Sequence, residues 1–201
     1  MADNVVVVFM EGASEKRFYV NFISYIREKN GNALPCIIDY KNLKGIGNYK
    51  RDARTHIENS IANKYPGARI TALLCHDTDV FEHAKKPPVN WVQIQKELLR
   101  IDGVERVDLI KARESLEDWF LHDKQGLLNF LNLPQNTKTS GQGYKVLLGL
   151  FKKASKVYVK GSENQKFVDS LNIGLIASHV CKDIKPLCRA LGMECKTVTC
   201  K

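Results

Sequence analysis

Val5-Val6-Val7-Val8-Phe9-Met10-Glu11-Gly12 is the stretch that decides the fold. Its first six residues are apolar without a break and mostly β-branched, the pattern of a strand buried on both faces. Glu11-Gly12 ends the run. Over residues 14–27 the apolar side chains Phe18, Tyr19, Phe22, Ile23 and Ile26 recur at helical spacing. Three more short apolar runs, at 35–40, 69–75 and 106–112, read as strands. The first two are separated by a basic, glycine-containing loop (41–51) and a helix over 52–64. A proline-bearing loop at 85–88 and a helix over about 92–100 come before the last. Residues 114–123 read as a helix. From Lys124 onward, helix-like pieces alternate with turns at Pro134, Gly141, Gly143 and Gly161. One β-like run, 155–159, reads as a strand or a helix end.

Strands alternating with helices predict an α/β fold, a mainly parallel sheet covered by helices on both faces. The chain of 201 residues suits one domain of this kind and is long enough to bury a core without staples. The organisation expected is a Rossmann-like domain over 1–170 and a helical, Cys-rich C-terminal extension over 171–201.

Lys and Arg number 31 against 22 Asp and Glu, a net charge of +9. That balance favours a polyanion such as DNA, RNA or an acidic membrane surface. No apolar run approaches the ~18 residues of a spanning helix, and Met1-Ala2-Asp3-Asn4 lacks the basic start of a secretory signal. A cytoplasmic protein is expected, and with it six free thiols. Cys181, Cys188, Cys195 and Cys200 crowd the end of the chain, but no Cys-x-x-Cys pair marks a zinc site.

In an open parallel sheet, ligands bind at the carboxyl ends of the strands. Acids follow three of the strands here. Glu11 follows the first, with Glu15 four residues on; Asp77 and Asp79 follow the third; Glu114, Glu117 and Asp118 follow the fourth. Each cluster alone has a plain structural explanation, a solvated strand end, a turn, or acids at a helix start. Together they would crowd negative charge at one edge, which raises carboxyl pKa values and costs free energy. Mg²⁺ (or Mn²⁺) would remove that cost, and two such ions can activate water against a phosphodiester.

At these residues the chain resembles Toprim domains. "VVVVFMEGASEKRFY" resembles their opening strand, Glu-Gly and acid-bearing helix, and "ALLCHDTDVFE" resembles their Asp-x-Asp motif. "KARESLEDWFLHD" and "KVYVKG" resemble the Glu-x-Trp-x-Leu and Tyr-x-Lys segments of RloB-like and overcoming-lysogenization-defect (OLD) nucleases. The likeness runs over residues 4 to 170 and implies a Toprim-like fold. It also implies roles. Glu11 would be a metal ligand or general acid/base, Asp77 and Asp79 would hold metal, and Glu15 would join the first ion. Glu114 and Glu117 would hold the second ion, with Asp118 as an alternate. Lys160 would offset charge on the phosphate, in competition with Lys145, Lys153 and Lys156. His76, directly before the Asp-x-Asp, departs from the pattern. Trp119, Phe120 and Leu121 read as core, and His83 and His122 as surface.

The implied activity is Mg²⁺-dependent cleavage of DNA or RNA, tRNA included, in prokaryotic antiphage defence. A separate ATPase subunit and self-association are both compatible with it; a membrane is not expected. Lys41, Lys44, Lys50, Arg51, Lys145 and Lys160 are the expected nucleic-acid contacts. The alternatives are a non-catalytic nucleic-acid-binding or regulatory subunit of the same fold, and a phosphatase or receiver-like domain using Asp77.

Overall fold

The computed structural model describes residues 3–78, 89–160 and 166–193. Strands β1 (Asn4–Met10), β2 (Ile37–Asn42), β3 (Arg69–Asp77) and β4 (Val104–Ala112) form one sheet in the order β2-β1-β3-β4. Every pairing is parallel. The two central strands are those with the longest apolar runs, as expected of strands covered on both sides. Helices α1 (Ala13–Lys29), α2 (49–64) and α3 (Trp91–Leu98) connect the strands. After β4 come α4 (Leu116–Phe120), α5 (Lys124–Phe130), α6 (Gly143–Lys153), α7 (Ile173–Val180) and α8 (Lys185–Ala190).

The unbroken burial of β1 reflects two separate cores. Val5, Val7 and Phe9 point to one face and pack with Ile57 and Ile61 of α2 and Ile94 and Leu98 of α3. Val6, Val8 and Met10 point to the other and meet Phe18, Phe22 and Ile26 of α1. Trp119, Phe120, Leu147, Phe167, Ile176 and Leu187 complete that second layer. The described helices of the C-terminal extension, α7 and α8, are thus part of the same apolar layer as α1.

In α2 the buried residues Tyr49, Ala53, Ile57 and Ile61 stand four apart. In a regular α-helix such a row would drift about 40° round the axis at each step. Here the turns Tyr49–Ala53 and Ile57–Ile61 are π-helical, and the wider turns keep the row against the sheet. The run 155–159 forms neither a strand nor a helix end. Tyr158 is buried while Val157 and Val159 on either side are exposed, so the segment alternates in its burial.

No helix among the described residues is long and apolar enough to cross a membrane. Cys36 and Cys75 are free thiols, but Cys181 is disulfide-bonded, which corrects the expectation of six free thiols. His122 is exposed and Trp119 and Phe120 are buried, as the sequence suggests; His83 lies outside the described residues.

Leu73 and Leu74 are neighbours on opposite faces of β3, and both are fully buried. Leu73→Ala and Leu74→Ala should therefore each cost about 2–5 kcal/mol in urea unfolding. A sheet covered on one face only would leave one of the two nearly neutral.

Candidate functional site

The parallel register sets the site. Phe9 of β1 stands beside Leu74 of β3, so Glu11 and Asp77 leave the same edge of the sheet in neighbouring strands. Gly12 is extended and starts α1, and Glu15 turns back from the first helical turn. Its Oε2 accepts from the backbone N–H groups of Glu11 and of Gly12, the latter at 3.1 Å. This is the reaching-back half of a capping box, which satisfies two otherwise orphaned donors. It also fixes a carboxylate, 8% exposed, directly beside the end of β1.

The other acids arrive through the β4–α4 turn. Thr78 clasps this turn: its N–H donates to the carbonyls of Ala112 and Glu114 (both 3.1 Å), and its Oγ1 accepts from the Glu114 N–H at 2.7 Å. Glu114 takes a left-handed backbone, φ 61°, at the clasp. The chain then enters α4, where the Leu116 N–H donates to Asp77 Oδ1 at 2.8 Å. One residue later Glu117 points inward and is 2% exposed. Its Oε1 accepts from the Tyr158 hydroxyl at 2.8 Å, and its Oε2 lies 3.6 Å from Lys160 Nζ. Lys160 Nζ also donates to Asp77 Oδ2 at 2.8 Å. One ammonium thus bridges two buried carboxylates.

The electrostatics confirm that these acids share one environment. Burial, then the charges of Asp77 and Glu11, push the Glu15 carboxyl well above its usual range. Burial pushes Asp77 up to about 6, with Glu117 adding to the rise and Lys160 and the Leu116 N–H opposing it. Beneath them the Tyr49 hydroxyl donates to the Cys75 carbonyl and is held protonated by burial and by the charges of Glu15, Glu11 and Asp77. His76 is also buried. It stacks on Trp91 at 4.0 Å, and desolvation lowers its pKa to about 4, so at neutral pH it adds packing and no charge.

Of the residues expected from sequence, Glu11, Glu15, Asp77, Glu117 and Lys160 come together. Glu114 and Asp118 line a separate groove on the outer side of the turn. Asp79 lies outside the described residues. Lys41 is in β2 and Lys44 just beyond it, at the edge that carries Glu11, because Phe9 pairs with Lys41 and Met10 with Asn42. Lys50 and Arg51 pair instead with Glu97 (3.4 Å) and Asp52 (2.6 Å). Lys145 is exposed in the first turn of α6. That helix start abuts α4 so closely that a Cβ on Gly143 would lie 2.6 Å from Asp118 Oδ2.

Tyr158 was not singled out from the sequence as part of the site. The signal was available in Val157-Tyr158-Val159-Lys160: in an alternating segment, residues two apart share a side, so a tyrosine aimed at Glu117 brings Lys160 with it. The rival lysines go elsewhere. Lys153 donates to the Lys138 carbonyl, and Lys156 to that of Phe130.

The donors gathered here are hard carboxylate oxygens, which suit Mg²⁺ or Mn²⁺. Burial, with the neighbouring acids, raises the Glu15 and Asp77 carboxyls, and Lys160 offsets only part of the rise at Asp77. Among the described residues no group of three or more ligand side chains already stands at metal-binding geometry.

The chain matches no family model, no curated protein and no solved structure. What the site does must be read from its own residues.

The raised Asp77 pKa has a signed consequence. The folded value, about 6, lies above the ordinary 3.8, so the folded state holds this proton more tightly than the unfolded state. The resulting stabilisation is fully present below about pH 4 and is lost as pH rises through 6. A shift of that size corresponds to on the order of 3 kcal/mol. In chelator, the native protein should lose that much more stability between pH 4 and pH 7 than Asp77→Asn does. Urea unfolding at each pH measures the difference; parallel curves would mean that Asp77 carries no strain.

Proposed function

We propose that this chain is a divalent-metal-dependent nuclease of Toprim type, cutting a phosphodiester of DNA or RNA. The observation that carries the reading is the convergence of Glu11 and Glu15 with Asp77, which shares Lys160 with Glu117, at the carboxyl edge of the central strands. The net charge of +9 and the placement of Lys41 and Lys44 at that edge supply the attraction for a polyanion. A prokaryotic defence role in the cytoplasm, with or without a separate ATPase subunit, is the setting this activity suggests.

Glu11 and Asp77, with Asp79 two residues on, are the ligands assigned to a first ion, and Glu15 and Glu117 are within reach of the same electrostatic field. The chemistry such an ion would supply, held by these residues, is a nucleophilic water at neutral pH and stabilisation of the leaving oxygen. The protein's own groups do the rest. Lys160 gives up part of its hold on Asp77 and offsets charge on the phosphate as the bond breaks. Glu11, less buried than its neighbours, is the alternative candidate to move a proton if it does not hold the ion. Tyr158 and the Leu116 N–H keep Glu117 and Asp77 from turning away.

The bridging ammonium also favours a second reading. A lysine that already neutralises two buried acids could make the cluster purely structural and the protein a nucleic-acid-binding subunit. One set of assays separates the two. The purified protein is incubated with plasmid, single-stranded DNA and total tRNA in Mg²⁺, Mn²⁺ or EDTA. The nuclease reading predicts cleavage of at least one substrate with metal and none in EDTA. It also predicts that Glu11→Ala and Asp77→Ala fall by about a hundredfold or more while melting, without metal, no lower than the native protein. Salt-sensitive binding without any cleavage would leave the binding-subunit reading.

Lys160→Met adds a check on the cluster itself. It strands Asp77 and Glu117 without a counter-charge, but the ammonium is 43% exposed, so the loss without metal should be only about 1–2 kcal/mol. Mn²⁺ should then raise the melting temperature of this variant more than that of the native protein. A smaller gain would mean that Lys160 and metal do not compete for the same acids.

A further inference from the structure

On the outer side of the β4–α4 turn lies a groove of about 470 Å³, bounded by the turn, α4, the start of α6 and the end of α7. That volume falls within the range of small-ligand pockets. The segment that walls it is the one that serves the acidic cluster. Leu116 and Glu117 face Asp77 and Lys160, whereas Glu114 and Asp118 line the groove. At its rim the exposed rings of His122 and His179 stack face to face, 4.5 Å between centroids and 3° from parallel. Desolvation, then the neighbouring His179, lower the His122 pKa, which disfavours charge on its ring.

The lining narrows the class of ligand. Glu114, Asp118 and Asp183 are acceptors, and Arg113 and Lys182 are donors. Three carboxylates against two cations disfavour a bare phosphate. Parallel stacked imidazoles direct their ring nitrogens side by side and not toward a common point, and no group of three metal ligands stands among the described residues. A flat, neutral heterocycle with amine donors on its edge satisfies both features: its face stacks on an imidazole and its amine donates to a carboxylate.

We propose that this groove takes one unstacked nucleobase of the bound strand, with preference for bases that carry an exocyclic amine. The proposal rests on the reading of a nucleic-acid ligand. It places the accepted base one turn of chain from the acidic cluster, so base choice and the position of the cut phosphate are set by the same segment, 113–118.

The test uses the full chain in EDTA and fluorescence anisotropy with short labelled strands of adenine, cytosine or thymine, and an abasic strand of equal length. Adenine and cytosine strands should bind more tightly than the abasic strand. His122→Ala combined with His179→Ala should weaken them by about tenfold and leave the abasic strand unchanged. Both histidines are exposed, so an unaltered melting temperature is expected for the variant. His122→Phe should keep most of the affinity, because it keeps a stacking face. The proposal is overturned if the double variant binds base-bearing strands as the native protein does, or loses the abasic strand equally. Native protein that binds no strand at all would overturn the nucleic-acid reading and the groove with it; tight binding indifferent to the variant overturns the groove alone.

Discussion

The parallel pairing of β1 with β3 governs where every carboxylate of the site can stand. Two antiparallel strands would send Glu11 and Asp77 to opposite ends of the sheet. Parallel neighbours in the observed register, Val5 beside Ile70 through Phe9 beside Leu74, send them out together. That pairing is itself a product of burial. A strand that is apolar at every position must be covered on both faces, and helices can cover both faces only if they cross over between parallel strands. The same Val5–Met10 run that forms the core thus fixes the edge at which the acids collect.

The acids are then held against their own repulsion. Asp77 and Glu117 are each almost wholly buried, and the single ammonium that bridges them is partly solvated. The balance leaves Asp77 titrating near 6 and Glu15 well above its ordinary range. Two other described ion pairs differ from this one. Arg17 with Asp169 lies at the surface, and in the half-buried Asp39–His56 pair the partner lowers the aspartate pKa. Buried carboxylates with raised pKa values, gathered at one edge, are what the proposed cation site rests on. A divalent ion is the cation whose preference for oxygen matches the donors.

Much of this was legible in the chain. Four strands, their order of appearance, the central position of the two most apolar and the strand-end location of Glu11 and Asp77 all follow from apolar runs and their breaks. The choice within Glu114-Ser115-Leu116-Glu117-Asp118 was not legible. Which acid turns inward depends on the left-handed backbone at Glu114 and on the Thr78 clasp, a contact between residues 36 apart in sequence. Lys160 could not be told from its rivals by charge. It is selected by the alternation that buries Tyr158, and by the Lys138 and Phe130 carbonyls that engage Lys153 and Lys156. The π-helical turns of α2 were likewise hidden, because spacing by four reads as an ordinary amphipathic helix. The disulfide at Cys181 was not legible, because no cysteine spacing in the sequence marks it.

The account therefore turns on a single claim, that the cluster at Glu11, Glu15, Asp77 and Glu117 exists to take a divalent cation and not merely to hold Lys160. Calorimetric titration of Mn²⁺ into the native protein and into Asp77→Ala at neutral pH tests it without reference to any substrate. Saturable uptake by the native protein, weakened at least tenfold in the variant, is the predicted result. A native protein that takes up no Mn²⁺, or a variant that binds it equally well, would contradict the claim.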